Sequence, residues 1–365
     1  MKVLRTLAVL ALLGACRDSS SPAPAPPPPP PPPPDRIVAG VNLTLLFAPP
    51  TDPEILTILT EWTARAPAAA GVVELRAEDI PLGLGQARLQ IVSHEVDGNS
   101  HVGAILTPAG AQARSLPILL FAHGGDHGAN VEEALNILPL IMGDMLNRFV
   151  YVVPAFRAEP LSYKGTSYLA EGSPSPWDRD VDDAMALVSV TAQTVAAADP
   201  NRIAVVGASR GGCVGLLMGI RDPRIDLVSE FAGPTDFFGP FVQRAVEDAL
   251  LGNPPNLPGA DFLNATLVQP LKNGALTIAA ARLELLRRSP VYFANRLPAL
   301  QVHHGTADNV VPVTEAQRLI AVMEGLGRRP PQFESYIYEG ADHQTLLYQP
   351  LSIGRLRTFL ARLLD

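Results

Sequence analysis

A serine in a glycine-framed turn is the residue of this sequence with the clearest chemical potential. The apolar run 202–206 leads into the segment 207–211, Gly-Ala-Ser-Arg-Gly, and small residues follow. A strand that turns sharply into a helix strains the backbone of the turn residue and leaves no room for side chains two positions before and after it. Gly207 and Gly211 meet that requirement, so the pattern predicts an exposed nucleophile at Ser209.

A nucleophilic serine needs a base that takes its proton and a carboxylate that orients the base. Asp308 comes shortly after the apolar run 298–302, and His343 comes shortly after the run 333–338. The chain order Ser209, Asp308, His343 is typical of the α/β-hydrolase fold and differs from the orders in the chymotrypsin and subtilisin folds. Asp236, which follows the preceding apolar run, is a second candidate for the acid.

Another glycine pair follows the apolar run 117–122. We expect the N–H group of Gly124 or Gly125, together with the N–H group of Arg210, to stabilise the oxyanion of a tetrahedral intermediate. His123 and His127 are four residues apart, a spacing that can bind a metal ion when both lie on one helix. Because two glycines separate them, a loop is favoured over a metal site. The chemistry predicted for Ser209 needs neither a metal nor another cofactor.

Alternating strand and helix patterns must position these residues. Short apolar runs separated by helical patterns predict a mostly parallel sheet with helices on both faces. The predicted strands are 117–122, 149–153, 202–206, 225–231, 298–302 and 333–338. The repeat of Leu356, Phe359, Leu360 and Leu363 predicts a last helix packed on that sheet.

Upstream of this pattern, the sequence predicts one helix and one hairpin. A capping box that begins at Thr51 predicts a helix to about Arg65. Asp-Gly-Asn at 97–99 predicts a hairpin between 87–96 and 101–106, with His94 and His101 at its surface. Between about 234 and 296 the strand patterns stop, and residues such as Leu276, Ala279, Ala280 and Leu283 indicate helices. We interpret this segment as a cap inserted over the active site.

Several segments together resemble the catalytic domain of the prolyl oligopeptidase family and its esterase relatives in the α/β-hydrolase superfamily. The most specific segments are 199–203, Ser289-Pro290, 304–308 with Val311-Pro312, and 340–343. The resemblance runs from about Ala87 to the C-terminus, and we assign residues 36–365 to one α/β-hydrolase domain. It implies Ser209 as the nucleophile, Asp308 rather than Asp236 as the orienting acid, and His343 as the general base.

The sequence lacks room for the domain with which peptidases of that family select their substrates. Peptidases of the family carry a β-propeller before the hydrolase domain, and the roughly seventy residues from 35 to 106 are too few to form one. A small-molecule ester substrate is therefore favoured, and a prolyl oligopeptidase-like peptidase acting on short peptides is the alternative. A non-catalytic surface binding protein on the same scaffold is the alternative from another class.

Composition excludes some partners. The chain has 365 residues and a formal net charge of -8, with no basic stripe, which argues against a nucleic-acid partner. Its two cysteines, Cys16 and Cys213, do not suggest a disulfide framework. Cys213 follows the nucleophile by four residues, and we interpret it as a buried packing residue.

The first sixteen residues indicate export. Lys2 and Arg5 precede the apolar run 7–13, which is too short to span a bilayer. The segment 13–16, Leu-Gly-Ala-Cys, resembles the lipobox of bacterial lipoproteins, which implies a signal peptide over 1–16 and a lipid on Cys16; an ordinary cleaved signal peptide is the alternative. Because Arg17 rather than aspartate follows, the resemblance implies an anchor in the outer membrane of the cell envelope.

A proline-rich linker, residues 17–35, follows the predicted signal. The unbroken run Pro26–Pro34 should adopt polyproline II and extend roughly 28 Å. We interpret it as a stiff spacer between the anchor and the hydrolase domain. A docking ligand for a proline-binding partner is the alternative.

Overall fold

A computed structural model describes residues 35–65 and 70–364 of the chain. The predicted signal peptide, Cys16 and the run Pro26–Pro34 lie outside these residues. Within them, no helix combines the length and the apolar character that crossing a membrane requires.

A nine-stranded sheet forms the centre of the structure. Its strands are β1 (Ala70–Leu82), β2 (Gly85–Val96), β3 (Asn99–Pro108), β4 (Leu116–Ala122), β5 (Val150–Pro154), β6 (Ala198–Ala208), β7 (Ile225–Phe231), β8 (Ala299–Gly305) and β9 (Phe333–Tyr338). They lie in the order β9-β8-β7-β6-β4-β5-β3-β2-β1. The strands from β9 to β5 pair in parallel, and β3, β2 and β1 continue the sheet antiparallel. The predicted mostly parallel sheet is confirmed.

Helices cover the sheet. The longer ones are α1 (Asp52–Ala64), α2 (Val131–Met142), α3 (Arg179–Thr194), α4 (Arg210–Arg221), α5 (Pro240–Leu250), α6 (Ile278–Leu286), α7 (Thr314–Gly325) and α8 (Pro350–Ala361). Short helical segments are Leu43–Leu46, Gly143–Met145, Ala260–Leu263, Asn264–Val268, Gln269–Lys272, Pro290–Arg296 and Leu346–Tyr348. Short strands outside the main sheet are Ile37–Val38, Val41–Asn42, Ala129–Asn130, Pro160–Tyr163 and Thr166–Leu169.

Successive residues of the central strand β6 enter different cores. Ile203 and Val205 belong to the core that α3 and α4 cover, whereas Ala204 and Val206 belong to the core that α2 and α8 cover. Because both faces are buried, such a strand needs apolar residues at consecutive positions, which is the pattern in the sequence. The helices therefore lie on both faces of the sheet, as predicted.

The predicted helix and hairpin before the parallel strands are confirmed. Thr51 caps α1 in a capping box with Glu54. Strands β2 and β3 pair through a two-residue turn at Asp97 and Gly98, both at positive φ, with Val96 opposite Asn99. The edge strand β1 was not predicted, because its first half, Ala-Gly-Val-Val-Glu-Leu at 70–75, is exposed and lacks the alternation of apolar and polar residues that marks a half-buried strand.

The surface position predicted for His94 and His101 is wrong. The two residues face each other across β2 and β3, and their exposed fractions are 2% and 0%. Helix α3 covers this part of the sheet, and its Asp183 carboxylate lies 3.5 Å from His101 Nδ1. Burial lowers the pKa of His101 to about 3, so this histidine is neutral.

The segment between β7 and β8 is helical, which is the secondary structure predicted for 234–296. Its helix α6 buries Ala281, Arg282, Leu285 and Leu286, a different face from the one that the sequence pattern indicated. The reason is Arg282, whose guanidinium binds both carboxylate oxygens of Glu54 at 2.6 and 2.8 Å. This ion pair joins the segment to helix α1.

Candidate active site

Backbone contacts hold Ser209 between β6 and α4. Its φ of 56° and ψ of -121° are strained for a residue with a side chain. A Cβ atom on Gly207 would lie 2.0 Å from the carbonyl oxygen of Gly211, and one on Gly211 would lie 2.0 Å from that of Ala122. Glycine is therefore required at both positions, for the steric reason inferred from the sequence.

Asp308 and His343 meet at the carboxyl ends of neighbouring strands. Asp308 lies in the turn after β8, and His343 lies in the turn after β9. The distance between His343 Nδ1 and Asp308 Oδ2 is 2.7 Å. His343 and Ser209 border the same cavity, which has a volume of about 570 Å³. All three residues predicted for nucleophilic chemistry thus lie at one edge of the sheet.

Several donors stabilise the Asp308 carboxylate in its charged form. The N–H groups of Val310 and Val311 each donate to Oδ1 at 2.9 Å, and His304 Nε2 lies 3.4 Å from Oδ2. Although burial acts to raise the pKa of Asp308, these groups and His343 outweigh it and hold the pKa well below its usual value. The charged Asp308 accepts a hydrogen bond from the N–H group at Nδ1 of His343, which leaves Nε2 as the nitrogen that can accept a proton.

Asp236, the alternative acid, is bound elsewhere. Its carboxylate accepts a hydrogen bond from the N–H group of Phe238 at 2.9 Å and lies 3.4 Å from Tyr292 Oη and from Arg318 Nε. The geometry therefore pairs His343 with Asp308.

The loop after β4 packs directly on the turn that carries Ser209. A Cβ atom on Gly124 would lie 3.1 Å from the Cβ atom of Ser209, so only glycine lets the loop approach this closely without displacement. Gly124 and Gly125 border the cavity beside Ser209. Arg210 is the first residue of α4, where an N–H group has no partner within the helix. These three residues lie where the sequence predicts an oxyanion hole.

The side chain of Arg210 forms a buried ionic cluster that sequence analysis missed. Its guanidinium binds both oxygens of Asp180 on α3 at 2.7 and 2.9 Å, pairs with Glu159, and donates to the carbonyl oxygen of Gly125 at 3.1 Å. Arg210 and Asp180 are 3% and 0% exposed. One side chain therefore joins the nucleophile helix, α3 and the glycine loop.

His123 and His127 lie in a loop and make different contacts. His123 stacks on Phe156 with ring centroids 4.3 Å apart, and burial lowers its pKa to about 4. His127 is exposed, with its Nδ1 atom 3.5 Å from Asp126. Within residues 35–65 and 70–364, no three histidine, cysteine or acidic side chains are grouped to hold a metal ion.

The cysteine and the two histidines near the site are packing or supporting residues. Cys213 is fully buried, and burial raises the pKa of its thiol. His303 stacks on Phe231 with ring centroids 4.2 Å apart, and its nitrogens contact Tyr338 and Gln301 at 2.7 Å. His304 contacts Asp308 as described above. The buried position predicted for Cys213 is confirmed.

Solved structures with the same fold are similar to this chain at low sequence identity. An acetyl xylan esterase from Paenibacillus sp. R4 has a TM-score of 0.55 and 15% sequence identity, and the match covers 87% of this chain and 98% of that esterase. Acetyl xylan esterase 1 from a Thermoanaerobacterium species has a TM-score of 0.53 and 15% sequence identity, and the match covers 86% of this chain and 93% of that esterase. An esterase from Pyrococcus furiosus has a TM-score of 0.51 and 17% identity, covering 80% and 92%.

No protein-family model matches the chain, and no curated protein sequence matches it. The similarity to solved structures, together with the strand order, shows the fold. The protein has the α/β-hydrolase fold that the sequence predicts.

The ionic cluster around Arg210 leads to a stability prediction. Asp180→Asn removes one of the two carboxylates that bind Arg210 and leaves Glu159 as its counter-charge. We therefore expect the free energy of unfolding to fall by about 1–3 kcal/mol. The measurement is chemical denaturation at neutral pH. Asp79→Asn is the matched control, because Asp79 pairs with Arg88 at 3.5 Å on the surface and its loss should leave stability close to wild type. Equal stability of the two variants would contradict the role assigned to the cluster.

Proposed function

We propose that this protein is a serine hydrolase that cleaves carboxylic esters through an acyl-enzyme. The observation that carries the proposal is the constellation at the sheet edge. Ser209 lies on a strained turn and shares a cavity with His343, and the Nδ1 atom of His343 contacts Asp308 at 2.7 Å. This combination supplies a nucleophile, a general base and an orienting carboxylate.

The reaction follows from these roles. The Oγ atom of Ser209 attacks the carbonyl carbon of the ester, and His343 Nε2 accepts the hydroxyl proton. The N–H groups of Arg210 and of Gly124 or Gly125 stabilise the negative charge that develops on the carbonyl oxygen. The bond to the alcohol oxygen then breaks, and His343 returns its proton to that oxygen. In the second half of the reaction, His343 takes a proton from water, and the water oxygen attacks the acyl carbon. The bond to Ser209 Oγ then breaks, His343 returns the proton to that oxygen, and the carboxylic acid is released.

Two observations favour an ester over a peptide. Described residues before β4 form helix α1, a small hairpin and the antiparallel strands β1 to β3, which give no propeller that would select short peptides. The structural neighbours reported above are named as esterases. Asn256, Leu257 and Pro258, from the helical segment 234–296, border the cavity and support the proposal that this segment is a cap.

We also propose that the enzyme is exported and held at the cell envelope by a lipid on Cys16. The support is the sequence alone: a basic start, a short apolar run, the segment Leu-Gly-Ala-Cys at 13–16, and a proline spacer before the folded residues.

Ser209→Ala should abolish both labelling by a fluorophosphonate probe and turnover of nitrophenyl esters, because it removes the hydroxyl group that forms the acyl bond in the proposed mechanism. Ser115→Ala is the matched control, because this exposed hydroxyl donates to the carbonyl oxygen of Gln112 and Ser115 is not among the residues that border the cavity. Esters should be turned over faster than aminoacyl nitroanilides in the same assay. Faster nitroanilide cleavage would support the peptidase alternative, and absence of labelling in the wild type would support a non-catalytic binding protein.

Asp308→Asn should lower turnover by a factor on the order of 10⁴, since an amide holds His343 in the wrong tautomer. Asp236→Asn provides the comparison, because both aspartates follow strands of the same sheet and are buried. Turnover of a nitrophenyl ester by folded samples of the two variants is the measurement. A larger loss in Asp236→Asn would reverse the assignment of the acid.

Cys16→Ser should release the protein from the membrane fraction of a bacterial expression host, because it removes the thiol that carries the lipid. Cys213→Ser is the matched control, a buried cysteine within the fold. Immunoblots of separated membrane and soluble fractions report the result. Unchanged membrane association of Cys16→Ser would exclude lipidation as the anchor.

A further inference from the structure

Two cavities meet at Ser209. The larger has a volume of about 570 Å³, and the smaller has a volume of about 70 Å³. Ser209, Leu257, Pro258 and Val310 border both of them. We call them the large chamber and the small chamber. The proposed nucleophile therefore lies at the boundary between two separate binding spaces.

The walls of the large chamber are more apolar than polar, and Asn130, Glu133 and Gln344 are among its polar residues. Phe121 and Tyr151 from strands β4 and β5, Ile137 from α2 and Leu347 from the segment before α8 contribute to its walls. The hydroxyl group of Tyr151 donates to the carbonyl oxygen of Leu146 at 2.6 Å and is not free for a ligand. A volume of this size is typical of a pocket that encloses a whole small-molecule group.

The small chamber lies under helix α5 on the other side of Ser209. Trp177, Phe237, Phe241 and Val246 are among its apolar walls. Its volume of about 70 Å³ has room for about five to seven water-sized groups. A short aliphatic chain fills a volume of this size.

The wall between the chambers is stiff. Leu257 and Pro258 belong to the segment 253–258, Asn-Pro-Pro-Asn-Leu-Pro, whose three prolines restrict the backbone. The next residue, Gly259, packs so closely on Trp177 that a Cβ atom there would lie 2.1 Å from the indole ring. This contact fixes the end of the segment that borders both chambers.

The positions of the catalytic groups decide which half of an ester enters which chamber. His343 borders the large chamber, and in the proposed mechanism it must protonate the leaving alcohol oxygen. The proposed oxyanion donors border both chambers, Gly124 and Gly125 the large one and Arg210 the small one, so the ester carbonyl lies where the chambers meet. With the alcohol oxygen beside His343, the acyl chain is left to extend into the small chamber. The alcohol half therefore belongs in the large chamber and the acyl half in the small one.

On the basis of the proposed function, we infer that the substrates are esters of a short aliphatic acid with a bulky, apolar alcohol. The small chamber limits the length of the acyl chain. The large chamber binds the alcohol through apolar contacts. The segment 253–258 divides the two sites.

Two series of esters test this inference on the intact folded enzyme. In 4-nitrophenyl esters, kcat/KM should fall at least about tenfold from butyrate to octanoate, because the longer chain exceeds the small chamber. In acetate esters of primary alcohols, kcat/KM should rise at least about tenfold from ethanol to 2-(1-naphthyl)ethanol, because the aromatic group gains apolar burial. The first comparison defines an acyl ratio, octanoate over butyrate, and the second an alcohol ratio, naphthylethyl over ethyl.

Substitutions in each chamber should change one ratio only. Phe241→Ala enlarges the small chamber and should raise the acyl ratio about tenfold, and Val246→Ala should shift it in the same direction. Ile137→Trp fills part of the large chamber and should lower the alcohol ratio about tenfold. Leu251→Ala is the control, because this leucine is exposed at the end of α5 and should leave both ratios unchanged.

The outcomes separate the inference from the proposed function. If Ser209 reacts with a fluorophosphonate probe but the ratios do not respond, or if Ile137→Trp changes the acyl ratio and Phe241→Ala the alcohol ratio, the assignment of the chambers is wrong. If Ser209 does not react with the probe, the proposed function itself fails. Selective shifts with intact labelling support both.

Discussion

The close approach of three backbone segments at Ser209 is the constraint on which the rest of the site depends. The end of β6, the first turn of α4 and the loop after β4 come so near one another that Cβ atoms on Gly207 and Gly211 would overlap carbonyl oxygens at 2.0 Å. This contact leaves Ser209 at a positive φ, and the backbone N–H of Ser209 bonds to the carbonyl of Phe231 at 2.8 Å. Ser209 is therefore anchored to the central strands β6 and β7, which keeps the nucleophile fixed despite its strained backbone.

Much of this arrangement could be predicted from the sequence because it depends on local patterns. Buried parallel strands need apolar residues at consecutive positions, and a sharp turn between strand and helix needs glycines at set positions, so both leave a signal in a few neighbouring residues. The order in which Ser209, Asp308 and His343 follow successive strands then indicated that they meet at one edge. They lie there in the structure, with Asp308 and His343 in contact.

Interactions between distant segments left no such signal. The acidic residues at the start of α3 have the pattern of a solvent-exposed helix end. In the structure, Asp180, Asp182 and Asp183 are buried, and they bind Arg210, Arg221 and Arg157 respectively. The same helix covers His94 and His101, for which the hairpin prediction gives surface positions. On α6, Arg282 lies on the buried face because Glu54 neutralises it. In each case, the partner that makes a charged or polar residue suitable for burial lies far away in sequence.

The ionic cluster at Arg210 also limits how far its positive charge can stabilise an oxyanion at Ser209. Its guanidinium is already bound by Asp180 and Glu159, two carboxylates on other segments, and one further N–H is directed to the carbonyl oxygen of Gly125. A cation compensated in this way offers little net charge to a developing oxyanion, and burial lowers the pKa of the adjacent His123 to about 4, so it adds none at neutral pH. In the proposed reaction, the backbone N–H groups therefore stabilise the oxyanion, and they do so effectively only if their directions are fixed. The side chain of Arg210 serves that purpose by holding the glycine loop against α4.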